Sequence, residues 1–213
     1  MPSPGRIDFK LYLITDRLAL PPGRNLVETV AAALQGGVRG VQLREKDLSP
    51  RELLPLALEL RALTRRFGAR LLINDRIDIA QAVEADGVHL AGTSLPTAIA
   101  RRLLGPAALI GVSTHSLAEV LAAASEGADF VTFGPIYPTA SKAAYGPPVG
   151  LDALRSACAT TTLPIFALGG IKSSHISQLQ SAGAAGIALI SAIISAANPQ
   201  AAAENLSQQF QPG

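Results

Sequence analysis

Val41-Gln42-Leu43-Arg44-Glu45-Lys46 follows a glycine-rich break at Gly36, Gly37 and Gly40. It reads as a short strand. Strand side chains alternate faces, so Gln42, Arg44 and Lys46 share one side and Val41, Leu43 and Glu45 the other. The rest of the chain argues for a parallel barrel covered by helices, in which the polar side looks inward near the carboxyl end of the strand. Two cations there need an anion, and a phosphorylated ligand is the natural candidate.

Outward from this stretch, eight β-like runs alternate with eight helix-like runs. The strands are expected over 11–15, 40–43, 70–73, 87–90, 109–112, 130–133, 164–168 and 186–190. The helices are expected over 25–35, 49–67, 77–84, 95–104, 117–125, 151–158, 174–181 and 199–210. Cap chemistry marks several helices: Asn25, Ser49-Pro50 with Glu52, and Ser116 with Glu119 at starts, and Gly36-Gly37 and Gly68 at stops. Such alternation implies right-handed βαβ units and an α/β fold, a single (β/α)8 TIM barrel. An open doubly wound sheet is the runner-up, but the glycine-rich dinucleotide fingerprint is missing after the first strand.

The 213 residues are 48% hydrophobic, enough for one core and too few to require two domains. The expectation is one barrel domain over 1–213, with 1–10 a flexible lead. A net charge of +2 makes no case for nucleic acid or an anionic membrane. Cys158, the one cysteine, excludes an intrachain disulfide framework and fits a reducing compartment. No apolar signal core opens the chain, and its apolar runs fall short of a membrane span. A cytoplasmic protein is therefore expected; the oligomeric state, a homo-oligomer included, stays open.

Active sites of such barrels lie at the carboxyl ends of the strands, and polar residues collect there. Thr15-Asp16-Arg17, Arg44-Glu45-Lys46, Asn74-Asp75-Arg76 and Ser113-Thr114-His115 each end a strand. Gly169-Gly170-Ile171 and Ile190-Ser191 end the seventh and eighth. Glycine admits a close backbone approach, and the loops after these two strands are a recurrent phosphate site. Arg44, Lys46 and Lys142 would form a second anion site across the mouth. Lys142 sits with Thr139 and Ser141 on a long loop, and such loops in compact barrels are usually functional. Asp75 could hold Mg²⁺ or cap the helix beginning near Ile77. His115 alone among the histidines is placed for acid–base work; His89 reads as interior and His175 as an exposed helix start. Cys158 reads as packed.

Together these segments resemble the thiamine-phosphate synthase family. The matching runs are Leu-Ile-Thr-Asp at 13–16, Val-Gln-Leu-Arg-Glu-Lys at 41–46, Ile-Asn-Asp-Arg at 73–76 and Gly-Val-His-Leu at 87–90. They continue with Gly-Val-Ser-Thr-His-Ser at 111–116, Gly-Pro-Ile-Tyr-Pro-Thr at 134–139, Gly-Gly-Ile at 169–171 and Ile-Ser-Ala-Ile at 190–193. The resemblance implies a transferase that couples 4-amino-5-hydroxymethyl-2-methylpyrimidine diphosphate to a thiazole phosphate. It implies that Gln42, Arg44, Lys46, Asn74, Ser113 and Lys142 hold the pyrimidine diphosphate, with Arg44, Lys46, Lys142 and Ser113 catalytic. It assigns Thr139, Ala140, Ser141, Gly170, Ile190 and Ser191 to the thiazole phosphate, and Asp75 to Mg²⁺. Catalysis would be orientation and charge stabilisation, with no protein nucleophile. One departure stands out. Ser94 occupies the place where the family usually has a second metal-binding carboxylate, and a hydroxyl holds Mg²⁺ more weakly. A thiazole tautomerase using His115 and a non-catalytic binder are the alternatives. Lys46, the Asn74-Asp75 pair and the Thr139–Lys142 loop speak against the tautomerase.

Overall fold

The computed structural model describes residues 6–139 and 147–210. Eight parallel strands close in sequence order, β8 pairing with β1. They are β1 (Leu11–Ile14), β2 (Gly40–Leu43), β3 (Arg70–Asn74), β4 (Gly87–Leu90), β5 (Leu109–Thr114), β6 (Phe130–Phe133), β7 (Ile165–Leu168) and β8 (Gly186–Leu189). The helices are α1 (Leu26–Gln35), α2 (Pro50–Arg66), α3 (Ile77–Ala82), α4 (Thr97–Leu104), α5 (Leu117–Ser125), α6 (Gly150–Thr160), α7 (Ile176–Ser181), α8 (Ser191–Ile194) and α9 (Pro199–Gln209). The chain is a (β/α)8 barrel, as its alternation implies. Helix α8 has no counterpart in the sequence reading, because one turn carries no 3.6-residue period.

Local chemistry explains the helix starts. Asn25 accepts from the N–H groups of Val27 and Glu28, and Asn198 from that of Ala201. Before α2 the Glu52 carboxylate reaches back to the N–H of Ser49 (2.9 Å), with Pro50 in the first turn.

Period-2 alternation divides the core in two. Leu11, Leu13, Val41, Leu43, Leu71 and Ile73 face the helices. Tyr12, Ile14, Leu72, Phe130, Phe166 and Ala188 fill the barrel. The aromatic rings need room, and glycine supplies it: a Cβ on Gly111 would lie 2.4 Å from the Phe130 ring.

The expectation of a flexible lead over 1–10 is corrected from residue 6 onward. Phe9 is buried and stacks on Tyr12, with Phe130 and Phe166 beside it. Arg6 pairs with Asp129 at 2.6 Å and donates to the carbonyls of Ala107 and Ala108. The segment closes the amino-terminal end of the barrel, which an apolar interior requires. Residues 1–5 lie outside the described residues.

Candidate active site

The alternation that fills the barrel also selects the polar groups that reach its mouth. Past the aromatic layer, the inward positions of β2 to β6 carry Gln42, Asn74, His89, Ser113 and Thr132; those of β7 and β8 carry Leu168 and Ala188. The mouth is therefore polar on one side and apolar on the other.

On the polar side, Gln42 is buried and its Nε2 donates to the Tyr12 hydroxyl at 3.1 Å. His89 lies between the Tyr12 hydroxyl (Nδ1, 3.3 Å) and Ser113 Oγ (Nε2, 3.0 Å). Burial, then the nearby positive charge of Arg44, pushes its pKa down to about 3, so it is neutral near pH 7. Arg44 lies just past β2, half-buried, and its backbone N–H donates to Thr15 Oγ1 at 2.9 Å. Thr15 in turn donates to Glu45 Oε1 at 2.6 Å, and Glu45 Oε2 accepts from the Arg17 N–H at 3.0 Å. Burial raises the Glu45 pKa, against the pull of its bond from Thr15. Glu45 thus ties the β1 and β2 loops together and holds the backbone that aims Arg44. Sequence reasoning had no role for it.

Lys46 departs from the expected common face. β2 ends at Leu43, and the chain turns, so alternation no longer applies. Lys46 is exposed and lines a groove of about 290 Å³ with Glu45 and Leu43 as well as Asn74, Asp75 and Thr93. Among the described residues, no hydrogen bond or ion pair engages the Arg44 guanidinium or the Lys46 ammonium.

Asp75 has φ 65, a left-handed conformation that Asp tolerates better than most residues. Its N–H donates to the His89 carbonyl at 2.9 Å. The capping alternative does not hold, because Arg76 occupies the N-cap of α3. The Asp75 carboxylate is exposed, with no hydrogen bond or ion pair among the described residues. Mg²⁺ commonly uses one or two carboxylates plus substrate phosphates, and Asp75 meets the lower requirement. No group of three His, Cys, Asp or Glu residues able to hold a metal occurs among the described residues. Ser94 Oγ accepts from the Ala91 N–H at 2.7 Å, closing a turn and committing one lone pair.

On the apolar side, Leu168, Gly169, Gly170, Ile190, Ser191 and Thr139 line a cavity of about 110 Å³. Gly169 and Gly170 have φ of 94 and 66. A Cβ on Gly170 would stand 2.6 Å from the Pro138 carbonyl oxygen and 2.8 Å from Tyr137 Cβ. The loop after β6 is held close by bonds from the Ile136 N–H to the Leu168 carbonyl (2.8 Å) and from the Tyr137 N–H to the Gly169 carbonyl (3.1 Å). The glycines make room for this loop, so that it closes against the turn after β7 beside the cavity. Thr139, Gly170, Ile190 and Ser191 are therefore brought together, as the sequence suggests. Ala140, Ser141 and Lys142 lie outside the described residues.

The histidine readings separate cleanly. His89 is interior. His175 is half-buried and stacks on Tyr137, ring centroids 3.8 Å apart, instead of standing free at a helix start. His115 is exposed, its Nδ1 2.5 Å from the Gly134 carbonyl oxygen. Cys158 is half-buried, and burial pushes its thiol up to about 11, which keeps it protonated.

Known proteins share this fold and much of this sequence. The family model for thiamine monophosphate synthase matches residues 11–193. A relative from Geobacter sulfurreducens is 57% identical over 207 residues, covering 97% of both chains. The thiamine-phosphate synthase of Chloroflexus aurantiacus is 46% identical, covering 94% of this chain and 92% of its own. The solved thiamine phosphate pyrophosphorylase of Pyrococcus furiosus superposes with a TM-score of 0.86 at 37% identity, covering 95% of each chain. With β1 through β8 inside the matched span, this chain belongs to the thiamine monophosphate synthase family of transferases.

Proposed function

We propose that this chain is a thiamine-phosphate synthase that binds its two phosphorylated substrates on opposite sides of the barrel mouth. The observation that carries this reading is the divided mouth: cations at Arg44 and Lys46, unpaired among the described residues, on one side, and the cavity of Gly169, Gly170, Ile190 and Ser191 on the other. Arg44, Lys46, Asn74 and Ser113 would hold the pyrimidine diphosphate, with Gln42 beneath; Lys142 is assigned there by family resemblance alone. The cavity over β7 and β8 would take the thiazole phosphate, its backbone amides toward the phosphate and Leu168 and Ile190 toward the ring.

In the reaction, the bond from the pyrimidine methylene carbon to the diphosphate oxygen breaks, and diphosphate leaves with the electron pair. The thiazole nitrogen forms the new bond to that carbon. The electron-rich pyrimidine spreads the developing positive charge, so the chain needs no nucleophile. Arg44 and Lys46 stabilise charge on the departing oxygens, and the two sites hold the reacting atoms in line. Mg²⁺ on Asp75, with Ser94 near the same groove, would neutralise further oxygen charge on the leaving group. A net charge of +2 and a protonated Cys158 suit a cytoplasmic enzyme of small molecules, acting without nucleic acid or membrane and able to work as a monomer or homo-oligomer.

The test is release of diphosphate by purified protein given both substrates and Mg²⁺. Release is expected only with all three present. No release across a Mg²⁺ titration into the high millimolar range contradicts the reading.

A further inference from the structure

Beneath the polar side of the mouth, Gln42, Tyr12, His89 and Ser113 form one connected chain of hydrogen bonds. Its three inner members are closed to solvent: Tyr12 is 0%, Gln42 1% and His89 2% exposed. Water therefore does not reorder the protons, and the direction set at the Gln42 amide decides the rest.

Gln42 Nε2 donates to the Tyr12 oxygen at 3.1 Å. The single Tyr12 proton then has one acceptor in reach, His89 Nδ1 at 3.3 Å. With Gln42 Nε2 facing Tyr12, the opposite arrangement, with Nδ1 donating, would strand the Tyr12 O–H with no acceptor. An unsatisfied buried donor carries its full desolvation penalty, enough to select one tautomer by about fivefold or more. A neutral imidazole that accepts at Nδ1 carries its proton on Nε2. Nε2 then donates to Ser113 Oγ at 3.0 Å, with Thr132 Oγ1 at the 3.5 Å margin. Ser113 is left with its own O–H to give, at the end of β5 where the barrel opens.

We propose that Tyr12 and His89 are positioning residues that fix Ser113 as a hydrogen-bond donor toward the mouth, so that the bound pyrimidine diphosphate must present an acceptor atom there. This rests on the synthase reading for the identity of the ligand, but not for the direction of the chain.

Histidine ¹⁵N NMR of the unliganded wild-type protein reads the direction without any substitution. The account expects His89 protonated at Nε2; an Nδ1 proton overturns it. Tyr12→Phe removes the donor that holds the tautomer while keeping the ring. It should weaken binding of pyrimidine diphosphate by about tenfold. In a Ser113→Ala background the same change should alter affinity less than twofold, because the group it acts through is gone. A purely structural role for Tyr12 predicts additive losses in that cycle, and additivity overturns the proposal. Should wild-type protein fail to bind pyrimidine diphosphate, the synthase reading falls, and the nitrogen shifts alone decide the direction of the chain.

Discussion

In the proposed synthase the two sides of the barrel mouth would reach anion binding by opposite means. Over β2 to β5 the site is made of side chains: Arg44 and Lys46 bring charge, and Gln42, Asn74 and Ser113 bring directed polar groups. Over β7 and β8 it is a cavity beside Gly169 and Gly170, which have no side chain and so let the loop after β6 close against them. The first side should therefore fail when atoms are removed and the second when atoms are added. That asymmetry is open to direct attack.

Arg44→Ala should show the largest effect. If Arg44 meets the leaving group as proposed, its removal takes about 3–4 kcal/mol from the transition state, or about 10²–10³ in kcat/KM. KM for the thiazole phosphate should stay within about threefold. Steady-state kinetics with each substrate varied will separate the two.

Gly170→Ala tests the other side. The added methyl meets the Pro138 carbonyl in a left-handed conformation that costs about 1–3 kcal/mol by itself. KM for the thiazole phosphate should rise about 10- to 100-fold, with pyrimidine diphosphate affinity held. Loss of both affinities would mean that the sides are not independent.

His89 reports whether the floor of the polar side is dry. Its folded pKa of about 3 lies below an unfolded value near 6.5. The unfolded chain therefore binds a proton first as pH falls, and stability is lost from about pH 6.5 downward. Glu45, with a raised pKa, opposes this, since its burial penalty is relieved on acidification. Between pH 6.5 and 5 the His89 contribution should approach about 1.4 kcal/mol per pH unit. Urea unfolding across that range should show the slope in wild type and lose it in His89→Gln.

Ser94→Asp should have the smallest effect. A second carboxylate beside Asp75 should lower the Mg²⁺ concentration for half-maximal rate by a few-fold, about 1 kcal/mol. An unchanged Mg²⁺ dependence would place residue 94 outside the metal's reach.

Much of this was legible in the sequence, and the failures have physical causes. The barrel followed from alternation, and Gly169-Gly170 and Ser191 from glycine and strand-end placement. Lys46 escapes the alternation because β2 stops at Leu43, three residues earlier. Tyr12 gave no signal, because Leu11-Tyr12-Leu13-Ile14 is apolar throughout and only closure of the barrel decides which face looks inward. Phe9 was read as part of a loose lead, since what it plugs is assembled from β1, β6 and β7. Glu45 was read only as an outward residue, because its partners Thr15 and Arg17 lie about thirty residues earlier.

The most direct test of the divided mouth is a crystal structure with diphosphate and a thiazole phosphate bound together. The account predicts diphosphate on Arg44 and Lys46, and the thiazole phosphate group against the backbone of Gly170 and Ser191. Both anions on one side of the barrel, or Arg44 and Lys46 extended into solvent with diphosphate elsewhere, would contradict it.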